Sequence, residues 1–85
     1  MFIVYILTSI ADPQKYYIGF TEDLVRRLRE HNAGKAISTK DRGPFELVYY
    51  EAYKAESDAR HREKNLKLRS RAFEQLKKRI AKCLL

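Results

Sequence analysis

Two apolar segments near the start of the chain each carry a tyrosine, Ile3-Val4-Tyr5 and Tyr17-Ile18-Gly19, and a short basic stretch then places Arg27 and His31 one helical turn apart. Phenol, guanidinium and imidazole groups brought near one another are tools for handling a phosphodiester: the cation holds phosphate charge while the phenol and the ring pass a proton. Further along, Glu63 adds a carboxylate. More familiar hydrolytic equipment is missing. No Asp-x-Asp pair and no acidic-x-Lys triplet occurs, which removes the usual two-metal nuclease signatures. The glycines, Gly19, Gly34 and Gly43, lie too far apart for a phosphate-cradling loop, and no serine has the sequence context of an activated nucleophile. Chemistry in this chain rests on Tyr, Arg, His and Glu.

Bringing these groups together falls to a small set of elements. Residues 2–8 form a β-branched and aromatic run without polar alternation, as a central strand covered on both faces would. Asp12-Pro13 marks a turn, and residues 15–20 resume strand character, so the two segments pair as an antiparallel hairpin with Tyr5 and Tyr17 as close neighbours. Thr21, followed by Glu22 and Asp23, starts a helix by capping free N–H groups and placing acids in its first turn, and Asn32-Ala33-Gly34 ends it. At about 100° per residue, Leu24, Arg27, Leu28 and His31 share one stripe of that helix, opposite Arg26, Arg29 and Glu30. Polar groups on an inward stripe cost about 1 to 3 kcal/mol each when unpaired. Arg27 and His31 therefore have partners, border a ligand-filled opening, or reach past the core to solvent and a carbonyl.

Residues 33–45 form a loop carrying Lys35, Ser38, Thr39, Lys40 and Arg42, either a phosphate-backbone grip or a solvated surface loop. A third strand over residues 46–53 is expected to be buried on both sides, and Ser57-Asp58 to cap a second helix. On that helix Ala59, Glu63 and Leu66 share a stripe while His61 points away among basic residues. An inward Glu63 calls for a salt bridge or a bound cation, and either outcome places it near Arg27 or near a metal. Ser70 starts a last helix with Phe73, Leu76 and Ile80 on its core stripe and a basic remainder. The order is ββαβαα, an α+β domain with a three-stranded antiparallel sheet packed by helices.

Composition bounds the partner. The 85 residues make one domain, with 18 Lys and Arg against 11 Asp and Glu, a formal charge of +7. A pI near 9.7 points to a polyanion or an anionic membrane surface. No apolar run approaches the roughly 20 residues that span a bilayer, and the first residues lack the charged region of a signal peptide, so a soluble, cytoplasmic protein is expected. Cys83 is the only cysteine, which leaves no internal disulfide or multi-thiolate zinc site, and beside Leu84 it reads as a packing residue.

The ordered set of Tyr5, Tyr17-Ile18-Gly19, Leu24, Arg27, His31 and Glu63 resembles the GIY-YIG nuclease superfamily over nearly the whole chain. The runs Val4-Tyr5-Ile6-Leu7, Arg26-Arg27-Leu28-Arg29-Glu30-His31-Asn32 and Arg62-Glu63-Lys64-Asn65-Leu66-Lys67 are similar to its small stand-alone bacterial members. Ile3 stands where the first motif has glycine, and the superfamily's late asparagine has no assigned counterpart downstream of Glu63. The resemblance implies metal-dependent endonucleolytic hydrolysis of a phosphodiester, with one divalent ion, Mg2+ or Mn2+, held by Glu63, water and substrate oxygens. It implies that Tyr5 or Tyr17, its phenolate favoured by nearby cations, takes a proton from water. Arg27 would hold the phosphate, and His31 relay the proton or bind the phosphate. The substrate implied is DNA or RNA, recognised by shape in repair or recombination, with a protein partner supplying specificity. The rivals are a catalytically inactive nucleic-acid-binding domain of the same fold and a protein-interaction module.

Overall fold

The run of β-branched and aromatic side chains near the start becomes strand β1 (Phe2–Ser9), whose residues from Val4 onward are all buried. The computed structural model describes residues 1–34, 44–68 and 71–84. Lys35, Ser38, Thr39, Lys40, Arg42 and Ser70 lie outside the described residues. Strand β2 (Tyr16–Thr21), helix α1 (Leu24–Asn32), strand β3 (Phe45–Tyr53), helices α2 (Glu56–Lys67) and α3 (Arg71–Arg79) and a short 3-10 turn (Ala81–Leu84) follow. The sheet order is β2-β1-β3, both pairings antiparallel, so β1 is central. This is the expected α+β, ββαβαα architecture. No helix among the described residues is long and apolar enough to cross a membrane.

Alternation along β1 feeds two cores. Val4 and Ile6 pack with Ala59 and Leu66 of α2, Phe73 and Leu76 of α3, and Ile80. Tyr5 and Leu7 point the other way and pack with Phe45, Leu24 and Leu28, under α1. Each fully buried aliphatic side chain contributes about 1.5 to 3 kcal/mol, so β1 is the seam on which both layers depend.

Strand β3 departs from the expectation of burial on both sides. It is an edge strand, begins at Phe45, and leaves Tyr50 54 % exposed. Its unbroken apolar run has another cause. The register against β1 shifts between Ile6 and Leu7: Ile6 faces Tyr49 but Leu7 faces Leu47, leaving Val48 as an extra residue. That bulge reverses the alternation. Phe45 and Leu47 serve the α1 core, whereas Tyr49 and Tyr53 serve the other.

The caps also differ from the sequence expectation. Asp23, not Thr21, is the N-cap of α1, its side chain accepting from Arg26 N–H at 3.1 Å. The Thr21 hydroxyl instead accepts from Asp23 N–H at 3.0 Å, a local turn that brings the cap into place. At the other end Gly34 has φ 72°, the left-handed conformation that closes helices. Helix α2 starts at Glu56, ahead of Ser57-Asp58, with Ala55 at the cap position and no side-chain cap bond. It is anchored by its flank. The Glu51 carboxylate on β3 accepts from Arg62 Nε at 2.9 Å and Nη2 at 3.0 Å, from Tyr49 Oη at 2.9 Å and from Tyr53 Oη at 2.5 Å. A two-pronged guanidinium–carboxylate contact fixes rotation as well as position, so it sets where the next residue, Glu63, points. Cys83 is exposed rather than packed, because the closing turn presents it to solvent.

Candidate active site

Pairing of β1 with β2 sets Tyr5 opposite Gly19 and Leu7 opposite Tyr17, so the two tyrosines lie on one face, a diagonal apart. The Tyr5 ring crosses directly over Gly19. A Cβ at position 19 would stand 2.2 Å from Tyr5 Cζ and 2.3 Å from its oxygen. Glycine in the Tyr17-Ile18-Gly19 segment is thus required by the tyrosine on the neighbouring strand. Tyr17 itself packs edge-on against Phe45, ring centroids 5.3 Å apart.

Helix α1 supplies the partners. His31 is its buried residue, and its Nε2 lies 2.9 Å from Tyr5 Oη. The imidazole is wedged edge-on between the Tyr5 and Phe45 rings, with centroids at 5.8 and 6.1 Å. The adjacent Asn32 side chain accepts from Phe45 N–H at 2.7 Å, which ties the end of α1 to β3. Arg27, one turn earlier, loosely pairs with Glu30 at 3.9 Å, and its positive charge acts on the Tyr5 phenol. Phenol and imidazole share one hydrogen bond, whose donor is set by which ring nitrogen carries the proton.

Glu63 comes from α2, on the opposite side of the sheet, yet its charge acts on Tyr5. The salt bridge expected of an inward Glu63 is present, though not with Arg27. Its partner is Lys67, Nζ 3.0 Å from Oε2, because residues four apart on a helix meet most easily. The structure thus brings Tyr5, Tyr17 and His31 together on one face with the Arg27 charge acting there, while Glu63 lies on the helix packed against the other face, and Lys35, Lys40 and Arg42 lie outside the described residues.

A model of the GIY-YIG catalytic domain matches residues 1–79. The chain belongs to the GIY-YIG family. A UPF0213 protein from Haloquadratum walsbyi is 36% identical over 72 residues, covering 84% of this chain and 81% of that protein. Another, from Natronomonas pharaonis, is 43% identical over 70 residues, covering 81% and 80%. Structure-specific endonuclease subunit SLX1 homolog 1 of Trypanosoma cruzi is 55% identical over 53 residues, which are 53% of this chain and 10% of that protein. The solution NMR structure of a UPF0213 protein from Bacillus halodurans shares 39% identity with a TM-score of 0.55, over 89% of this chain and 82% of that one. The GIY-YIG assignment makes this a member of a nuclease family with the architecture described above.

Electrostatics of this GIY-YIG site at rest run against one expectation. Burial pushes the Tyr5 phenol above its ordinary value of 10.0, and the Arg27 cation only partly offsets it, so Tyr5 is a neutral phenol rather than a phenolate. Burial, then Arg27, also lowers His31 below 6.5, so the ring is neutral at pH 7. Desolvation outweighs the guanidinium at Tyr5 and acts together with it at His31.

Two clefts lie at opposite ends of β2. One, about 510 Å³, lies toward Thr21 and is bordered by Arg26, Arg27 and Arg60 but also by Glu22, Asp23, Glu30 and Glu56. The other, about 750 Å³, lies toward Tyr16 and Tyr17 and is bordered by Lys15, Lys67 and Lys77 with Glu74. Sequence reading missed Lys67 and this cleft. The four-residue spacing from Glu63 to Lys67 was a usable signal, whereas a cleft shared by the hairpin, α2 and α3 has no local pattern.

Among the described residues no group of three or more His, Cys, Asp or Glu side chains is placed to hold a metal. Glu63, with its side chain 15% exposed and already drawn to an ammonium, offers a cation one anionic ligand. That fits Mg2+ or Mn2+, which commonly bind through one or two carboxylates while water and substrate phosphate complete the shell.

Proposed function

We propose that this chain is a divalent-metal-dependent endonuclease that hydrolyses phosphodiester bonds in DNA, directed by substrate shape and serving repair or recombination. One observation carries the reading: a buried Tyr5–His31 hydrogen bond of 2.9 Å, with the charges of Arg27 and Glu63 acting on the phenol. Family membership supports it. Arg27 binds a non-bridging phosphate oxygen. Tyr5 passes its proton to His31 and takes one from the attacking water, which Tyr17 orients from the mouth of the lysine-bordered cleft. Glu63 would hold Mg2+ or Mn2+, which when bound would supply positive charge to the reacting phosphate.

The resting pair holds its proton back. Ordinary values of 10.0 for Tyr5 and 6.5 for His31 already oppose the transfer, and both shifts widen the gap. A phosphate beside His31 would raise the ring's basicity. Proton transfer therefore becomes easier once substrate is in place, which suits a nuclease that must not deprotonate water unproductively. Sequence specificity is left to a protein partner, since phosphate contacts alone position without reading bases. The test is nicking of supercoiled plasmid with Mg2+ or Mn2+, wild type against Glu63→Ala. Cutting by wild type alone is expected; equal cutting by both, or by neither with equal binding, sinks the assignment.

A further inference from the structure

The two clefts at opposite ends of β2 both open to solvent but differ in the sign of their charge. Three arginines on the Thr21 side face four carboxylates, and Arg26 and Arg27 are already paired to Glu30 at 3.7 and 3.9 Å. On the Tyr16 side three lysines face one carboxylate, Glu74, which holds Lys77 at 3.0 Å. A polynucleotide passing over the site places a phosphate on each side of the scissile bond. Only one side welcomes it.

We infer that the cleft bordered by Lys15, Lys67 and Lys77 is a binding subsite for the sugar-phosphate backbone flanking the scissile phosphate, so that the substrate leaves the site toward α3 and not toward the start of α1. This deepens the nuclease reading and rests on it. The volume of about 750 Å³ admits a nucleotide unit, and the cleft touches the proposed site at two points: Tyr17 lines it, and Lys67 reaches from it to Glu63. Lys67 thus has two anionic partners to choose between. When its place on Glu63 is taken by a cation, its ammonium has the cleft to turn into. Lys15 is exposed on the hairpin, and the Lys77 ammonium lies over the Phe73 ring at 4.8 Å, which holds it at the cleft wall. The acidic residues of the opposite cleft repel the same backbone. An asymmetric path follows from charge alone.

Binding to a short fluorescein-labelled DNA duplex, measured by anisotropy in EDTA across a salt series, tests this without cleavage. Lys15→Gln and Lys77→Gln are each expected to weaken binding several-fold and to make the dependence of log affinity on log salt shallower by about 0.9 for each phosphate no longer neutralised. Lys54→Gln, an exposed lysine outside both clefts, and Glu22→Gln and Glu56→Gln in the acidic cleft are expected to leave the slope unchanged. An unchanged slope in Lys15→Gln, whose side chain supports no packing, overturns the inference, as does an equal loss in Lys54→Gln. The nuclease reading is judged separately: a slope that falls in a protein that never nicks plasmid leaves the subsite and removes the catalysis.

Discussion

Lys67 Nζ sits 3.0 Å from Glu63 Oε2, so the only carboxylate of the proposed site rests against an ammonium from its own helix. The lysine is 53% exposed, which keeps the pair weak, about 0.3 to 0.5 kcal/mol for a helical pair of this spacing. Lys67→Met is therefore expected to tighten Mn2+ binding to the DNA-free protein by about two-fold, that energy expressed as an affinity ratio. Electron paramagnetic resonance of free Mn2+ measures it. Unchanged or weaker binding removes Lys67 as a competitor for Glu63.

Gly19→Ala and Tyr5→Phe separate the place of the Tyr5 ring from the work of its hydroxyl. An alanine Cβ at 19 cannot coexist with Tyr5 Cζ 2.2 Å away, so the ring must leave its seat, at about 1 to 3 kcal/mol of overpacking. Tyr5→Phe keeps the ring and deprives buried His31 of a hydrogen-bond partner, at about 1 to 3 kcal/mol. Both are expected to abolish nicking. Denaturant titration beside the plasmid assay checks this, and a fully active, fully stable Gly19→Ala would show that the ring's position is immaterial.

Stability should fall on both sides of neutrality, for different groups. His31 is lowered from 6.5 in the fold, so between its folded value and 6.5 the unfolded chain binds more protons. The contribution is whole above 6.5 and is lost as pH falls below it. Tyr5 and Tyr49 are raised above 10.0 and Tyr53 to about 12, so the unfolded chain loses protons first and stability declines as pH climbs beyond 10.0. Spectroscopic titration of tyrosinate should show these three phenols ionising late. An early, single transition contradicts the burial argument.

Glu51 and Arg62 offer a test of how the far layer is held. Glu51 is depressed below 4.5, since the hydrogen bonds from Arg62, Tyr53 and Tyr49 together outweigh its desolvation. Its contribution is present above 4.5 and disappears as pH drops through the folded value. Arg62→Met strands a mostly buried carboxylate, and about 2 to 3 kcal/mol of destabilisation is expected from thermal or denaturant melts. Glu63 should also lose its orientation, visible as weaker Mn2+ binding in the still-folded variant. Arg62→Lys, lacking the fork, should restore only part of either.

Periodicity carried much of the fold. The apolar run of β1, the tyrosine hairpin and the stripes bearing His31 and Glu63 were readable because each depends on local spacing. Nonlocal effects were not. The extra residue at Val48 arises only from pairing with β1, and so β3 read as doubly buried when it is an edge that changes sides. Capping by Asp23 rather than Thr21 depended on which hydroxyl the preceding turn consumed. For the site, helical spacing put His31 on the inward stripe where it meets Tyr5, but the neutral state of Tyr5 reflects how much water the surrounding rings exclude, which no spacing encodes.

The extra residue at Val48 ties the two layers to one count along β3. Phe45, before it, holds its ring against His31 under α1, while Glu51, after it, gathers Tyr49, Tyr53 and Arg62 on the other side. A strand without that residue would turn every side chain beyond the gap to the opposite face, so one layer or the other would lose its partner. A single insertion thus works as the phase marker that keeps two unlike surfaces in step.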